Sequence, residues 1–330
     1  MVSKRKAAPF AIAVLIVGTF VATGGAQAPQ TQTQAPVKAV QLTGLAGVGK
    51  NTKGSLTVEN GALRFAHSGK SFDLPQTSMR DVVTGDDSQR VIRGTIGTLS
   101  MFGPYGSGRF LSLFRSKLDT LTIQYCDSDE GLHGVIFTMP VGTAEGIKGK
   151  LVAAGAPTSV PLQGSSAANA TVPSAPAPDA QPEAAGSSKK IDGSAIEIMM
   201  IQSGEIPLPA EFQISLYENL VEQMRKKGGF QRVYRDGERD SATAPDLVIL
   251  RSTVRGFKKG SEMARQVTTV SGATAITVHC AFTDKDGRLL LARDIKGNVR
   301  FFGGNLRATY DFAKKAAKAA HENVSRPAGA

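Results

Sequence analysis

The chain has 330 residues, 41% of them hydrophobic and 20% charged, with 39 Lys and Arg against 28 Asp and Glu for a formal net charge of +11. That balance is globular on average and leaves room for two modest domains; it excludes a chain that is disordered throughout. With charges of both signs scattered along the sequence, it gives no basic footprint of a nucleic-acid binder and carries no recognised motif for one.

The chain opens on MVSKRK, a short basic stretch, followed by the uncharged run AAPFAIAVLIVGTFVA at 7–22 and the small residues TGGAQA at 23–28. A positive start, an apolar core and a small-residue exit predict a secretory signal peptide over 1–28. Cleavage after Ala26 is preferred over Ala28, because the latter leaves Pro29 next to the cut. An uncleaved inner-membrane anchor is the alternative, but the run is short for a span and holds Pro9. No Cys follows it to carry a lipid. The expected location is therefore the periplasm or the exterior. Without Lys4, Arg5 and Lys6 the net charge is +8, spread as +3 over 38–155 and +5 over 192–330. A basic exported protein has an envelope protein, an anionic lipid or an anionic glycan as candidate partner.

Residues 29–37 (PQTQTQAPV) form a short tether. The part at 38–156 reads as strands closed by one helix. Asn60-Gly61 between SLTV and ALRFAH is a strong hairpin signal, and Ser68-Gly69 predicts a second turn before SFDL. Further strands are predicted at 91–96, 120–126 and 134–138, and a helix at 142–154, where Ala144, Ile147, Leu151 and Val152 recur at helical spacing. The stretches GSLTVENGALRF at 54–65 and SMRDVVTG at 78–85, a long apolar strand pair and a closing helix together resemble bacterial pleckstrin-homology-like domains. That resemblance implies a bent β-barrel plugged by its last helix, and binding of proteins or lipid head groups.

Residues 157–191 are dominated by Ala, Pro and Ser and cannot bury enough apolar surface to offset their ordering entropy, which predicts a disordered linker. The second part, 192–330, mixes strand and helix. Strands are predicted at 194–201, 230–234, 247–257, 274–283 and 288–300, with a hairpin turn at 284–287. A helix is predicted at 209–227, opened by Pro209 at its first position, apolar along Phe212, Leu216, Leu220, Val221 and Met224, and stopped by Gly228. A last helix at 306–324 is capped by Asn305. The fold class expected is α+β: a barrel with its helix, a linker, then an α/β sandwich with a mainly antiparallel sheet and two helices. LYENL at 216–220, PDLVILR at 245–251, GFKKGS at 256–261 and DGRLL at 286–290 resemble a bacterial envelope family, many of its members lipoproteins, that is known only as a domain of unknown function.

GLAGVGKN at 44–51 nearly matches a phosphate-binding loop, but Asn51 lacks the hydroxyl that such a loop gives to Mg²⁺, and a strand follows where a helix is needed. The loop GPYGSGR at 103–109 is a better anion cradle: its backbone N–H groups lie beside Arg109, with Arg115 and Lys117 just beyond, and these three are the candidate anion-binding residues. His67, His133, His279 and His321 show no metal-ligand spacing, and adjacent His279 and Cys280 point to opposite faces of a strand. Asp284 and Asp286 lack the later Glu of a calcium loop. Cys280 is predicted to be buried, and a disulfide with Cys126 is not expected. No GxSxG, HExxH or SxxK pattern appears. Neither catalytic, cofactor nor metal residues are assigned. The expected function is a non-catalytic envelope module that binds or scaffolds a partner; the alternative is an unrecognised hydrolase in the second part.

Overall fold

A computed structural model describes residues 35–85, 118–160, 191, 194–258, 274–299 and 306–324. The leader, the strand predicted at 91–96, Arg109, Arg115, Lys117, most of the Ala/Pro/Ser stretch and Asn305 lie outside the described residues.

Seven strands, β1 (Val37–Thr43), β2 (Thr52–Glu59), β3 (Ala62–His67), β4 (Lys70–Pro75), β5 (Met79–Thr84), β6 (Leu118–Cys126) and β7 (Leu132–Pro140), form one antiparallel sheet in the order β4-β3-β2-β1-β7-β6-β5. The turn between β2 and β3 takes positive φ at both central residues, Asn60 (50°) and Gly61 (74°), matching the twist of the flanking strands as the sequence predicts. Leu56, Leu63, Phe65, Leu121, Ile123 and Phe137 point into a common core. Helix α1 (Ala144–Ala153) adds Ile147 and Leu151 to it. Its first turn is held by Asp119, whose carboxylate accepts from the N–H groups of Gly142 (2.6 Å), Thr143 (3.1 Å) and Ala144 (3.3 Å). An anion at a helix N-terminus satisfies donors that the helix itself leaves free.

The barrel expected from the sequence is not closed: β4 and β5 are the two edges of the sheet. The chain leaving α1 runs along the outer edge of β5. The Val82 N–H donates to Pro157 O (3.1 Å), the Thr158 hydroxyl donates to Val82 O (2.8 Å), and Ser159 donates from N and Oγ to the Asp81 carboxylate. The β5 edge that β4 needs for closure is thus engaged at Asp81 and Val82 by residues 157–159.

The second sheet contains β8 (Ala195–Ile198), β9 (Arg232–Arg235), β10 (Leu247–Lys258), β11 (Thr274–Thr283) and β12 (Leu289–Val299), in the order β12-β11-β10-β8-β9. It is mixed rather than mainly antiparallel: β8 pairs in parallel with both β10 and β9. The cause is helix α2 (Ala210–Lys227), which carries the chain from the end of β8 back to the start of β9 and so delivers β9 in the same direction. Pro209 is the N-cap of α2, so the helix begins at Ala210, one position after the predicted start. Helix α3 (Arg307–Asn323) follows β12 and packs beside α2. The core lies between the sheet and both helices, from Ile196, Leu250, Val278 and Phe282 to Leu216 and Phe312.

α2 is covered on nearly all sides. Besides Leu216, Leu220 and Met224 it buries Ser215, Glu218, Asn219 and Gln223, because β6 and β7 of the first sheet pack on the flank that the second sheet leaves open. Their close approach depends on Gly134, where an added Cβ would lie 2.4 Å from Ile214 Cδ1 and 2.5 Å from its Cγ2. No described helix is long and apolar enough to cross a membrane.

Candidate functional site

Beyond Ile198 the chain does not stay in the sheet. Met199 N–H still donates to Leu250 O (3.0 Å), and Gln202 rejoins β10 through Gln202 N–H to Ser252 O (2.9 Å) and Val254 N–H to Gln202 O (2.8 Å). Between them Met200 and Ile201 arch away. Two side chains hold the arch: Asp236, just past β9, accepts from Met200 N–H (2.8 Å), and Gln213 of α2 donates to Ile201 O (2.6 Å). The arch opens a cleft of about 470 Å³ lined by residues that include Met199, Met200, Gln202, Gln213, Asp236 and Arg251. It lies off the carboxyl end of β8, where one parallel neighbour follows through α2 and the other lies on the opposite side. Open α/β sheets bind ligands at such a point, and the volume is in the range of small-ligand sites. Arg251 reaches outward and donates to Thr283 Oγ1 (3.1 Å). Ser252 is 1% exposed, and its hydroxyl faces the Cys280 thiol at 3.7 Å on the core side.

The wall of the cleft is connected to a buried polar cluster. Asp236 N–H donates to the Tyr217 hydroxyl (3.0 Å), and Asp236 O accepts from Leu132 N–H (2.9 Å), tying β9 to β7. Next to it, Arg235 and Glu218 form a bidentate ion pair, Nη1 to Oε1 at 2.8 Å and Nη2 to Oε2 at 2.9 Å, with side chains only 7% and 6% exposed. Glu218 Oε1 also accepts from Gly134 N–H (2.9 Å), and Arg235 Nη1 donates to Leu132 O (3.0 Å). Burial alone would lower the Arg235 pKa, but the charge and hydrogen bonds of Glu218 hold it above its ordinary value. Tyr125, opposite His133 in the β6–β7 ladder, stacks on the imidazole at 5.1 Å between ring centroids, and burial pushes its pKa up to about 12. His133 shares Nε2 with Asp127 Oδ2 (2.8 Å); burial, reinforced by the Arg235 charge, pushes its pKa below the usual range. Two atoms of this cluster, His133 Nδ1 and Arg235 Nε, are buried without a hydrogen-bond partner among the described residues.

A second polar junction lies further along α2. Lys50, in the loop that resembles a phosphate cradle, donates to Asn219 Oδ1 (2.6 Å) and pairs with Glu222. Asn219 in turn donates to Thr309 Oγ1 (2.9 Å) of α3. The loop leads into β2 rather than a helix, and its lysine serves packing between segments far apart in sequence. The candidate anion residues Arg109, Arg115 and Lys117 fall outside the described residues. His279 lies on the outer sheet face, 2.7 Å from Asp294, while Cys280 is fully buried, and both cysteines are free. Asp284 and Asp286 sit in the β11–β12 hairpin turn, where Asp284 Oδ1 accepts from Arg288 N–H (2.8 Å). Among the described residues no group of His, Cys, Asp and Glu is placed to hold a metal.

Sequence reasoning missed Asp236, Gln213, Glu218 and Arg235. A signal existed for one of them: in RVYR at 232–235, alternation puts Arg235 on the same face as Val233, so a cation stands on an apolar strand face.

No family model matches the chain, and no curated protein matches it. Among solved structures, the chain is similar to the PelC dodecamer from Paraburkholderia phytofirmans, with 15% identity over 43% of this chain and 94% of that one and a TM-score of 0.31. A point variant of the PelC dodecamer from the same organism gives 17% identity over 38% of this chain and 86% of that one, with a TM-score of 0.28. At these TM-scores the likeness carries no argument about fold or function.

Proposed function

We propose that the protein is a non-catalytic module exported to a bacterial cell envelope, where it holds a partner at the cleft off the end of β8. The cleft's hydrogen-bonding side chains carry this reading. Asp236 and Gln213 are engaged in keeping the arch open, and the Ser252 hydroxyl is turned into the core. The cleft therefore offers methionine side chains and Gln202 on a wall that includes Arg251, which is the makeup of a binding surface rather than of a nucleophile with its base. The basic, apolar and small-residue order of residues 1–28 supports export.

In this reading the part at 38–156 keeps its likeness to pleckstrin-homology-like domains in strand succession and closing helix, without barrel closure, and the part at 192–330 keeps its likeness to the envelope family. The linker follows the residues that bond to β5, and the two parts work as one body, joined by Glu218 to Gly134, Arg235 to Leu132 and Lys50 to Asn219. Fractionation of the native cell with N-terminal sequencing tests the setting, and cross-linking in the envelope fraction tests the binding role. Protein found outside the cytoplasm and cross-linked to a defined neighbour supports the reading. Cytosolic protein with an intact leader, or envelope protein without any neighbour, overturns it.

A further inference from the structure

Helix α3 presents a second surface, away from the cleft. Its inner side is alanine-rich around Phe312 and wholly buried. On the outer side, at about 100° per residue, Arg307, Lys314 and Lys318 fall within roughly 40° of one another. Tyr310 lies on one flank of that ridge and is 44% exposed, one of three large apolar side chains so exposed among the described residues. Asp311 and Glu322 lie on the other flank, where Asp311 pairs with Lys315 (2.7 Å) and Glu322 with Lys318 (3.6 Å). The Tyr310 flank is cationic from neighbouring elements as well. Lys50 stands over the ring, 5.9 Å from its centroid, and Lys226 of α2 adjoins it; the two lysines share Glu222. Five cations thus surround one exposed tyrosine, with Glu222 and Glu322 as the acids among them.

We infer that this ridge seats on a lipid bilayer surface bearing anionic head groups, with Tyr310 at head-group level. The inference rests on the envelope setting proposed above but not on the cleft. Charge complementarity selects the occupant. Basic side chains near an anionic leaflet each add to the attraction, and an amphipathic ring prefers the boundary between head groups and acyl chains. Asp311 and Glu322 of α3 lie on the far flank, and Glu222, on the Tyr310 flank, is paired with both Lys50 and Lys226, so the helix can meet the surface along a side of net positive charge.

The test is co-sedimentation of the purified full chain with vesicles of phosphatidylcholine, alone or mixed with phosphatidylglycerol. A retained leader is basic and adds to binding on the anionic vesicles, but by the same amount for every variant, so the comparison among variants decides. The inference expects extra binding on the anionic vesicles, weakened by salt. It expects Lys314→Glu with Lys318→Glu to cut that extra binding at least about tenfold. Tyr310→Ala lowers it by a smaller factor. Arg255→Glu with Lys296→Glu, an equal charge change on the outer face of the second sheet, leaves it intact, and circular dichroism confirms that each variant is folded. Equal loss with both double variants reduces the effect to net charge and overturns the inference. So does binding to an acidic polysaccharide with none to vesicles, or a ridge-dependent dimer that leaves vesicles unbound. These outcomes are read on purified protein, so they stand apart from whether the native chain is exported or has a cleft partner.

Discussion

Arg235 grips both carboxylate oxygens of Glu218 where neither side chain meets water, and the same two groups hold the backbone of β7 at Leu132 and Gly134. The pair is thus a rivet between the two sheets. Removing one partner strands a buried charge: Arg235→Met is expected to cost about 3–5 kcal/mol of stability. The double variant Arg235→Met with Glu218→Leu should recover much of that, short of about 1–2 kcal/mol for the unpaired Leu132 O and Gly134 N–H. Urea denaturation of the four proteins gives the cycle. Additive losses would contradict the coupling.

Gly134→Ala pushes a methyl group into Ile214. The expected loss is about 1–3 kcal/mol, because the two packed elements cannot separate without opening the core. Pairing it with Ile214→Val should return part of that loss, read as a partial recovery in Tm. No recovery would place the strain elsewhere.

His133 gives the junction a pH response. Its folded-state pKa lies below the ordinary 6.5, so the unfolded chain binds the proton more readily. Stability from this group is complete above pH 6.5 and falls as the pH drops from there towards the folded-state value. The groups facing it are Arg235, Glu218, Asp127 and Tyr125, and the Arg235 charge acts in the same direction as burial. Thermal melts from pH 7.5 to 5.5 should show a falling Tm, and His133→Gln should flatten that slope. Asp127, held below its ordinary 3.8 by the His133 bond and two backbone N–H groups, adds its own loss only at lower pH.

Gln41 on β1 is 0% exposed, and neither amide atom has a hydrogen-bond partner among the described residues. Gln41→Met keeps the volume and removes the desolvated amide, so a gain of about 1–2 kcal/mol is expected. A lower Tm would show that the amide is paired in solution.

Local chemistry was the legible part of this fold. Asn60-Gly61 placed the β2–β3 hairpin because few other dipeptides accept two positive φ angles. The strict alternation in Thr274–Thr283 set β11 from end to end, and Pro209 and Gly228 bracketed α2. What stayed hidden was long-range. The apolar stripe of α2 predicts one covered face, yet Glu218, Asn219 and Gln223 on its other sides are buried as well, because β7 arrives from upstream, with Gly134 84 residues before Glu218. The parallel setting of β9 depends on where α2 returns the chain, and the open edge of the first sheet depends on residues 157–159 reaching β5. The cleft is made by an arch in the main chain, held by Asp236 and Gln213 through backbone bonds, and such bonds leave no mark on residue pattern.

The most direct test of the account is photocross-linking in the native cell from a probe at Gln202, on the rim of the cleft, with a probe at Lys70 on β4 as control. The account predicts a discrete adduct with an envelope component from position 202, absent from position 70, on protein located outside the cytoplasm. Adducts of equal yield from both positions, or none from 202 on properly exported protein, would contradict it.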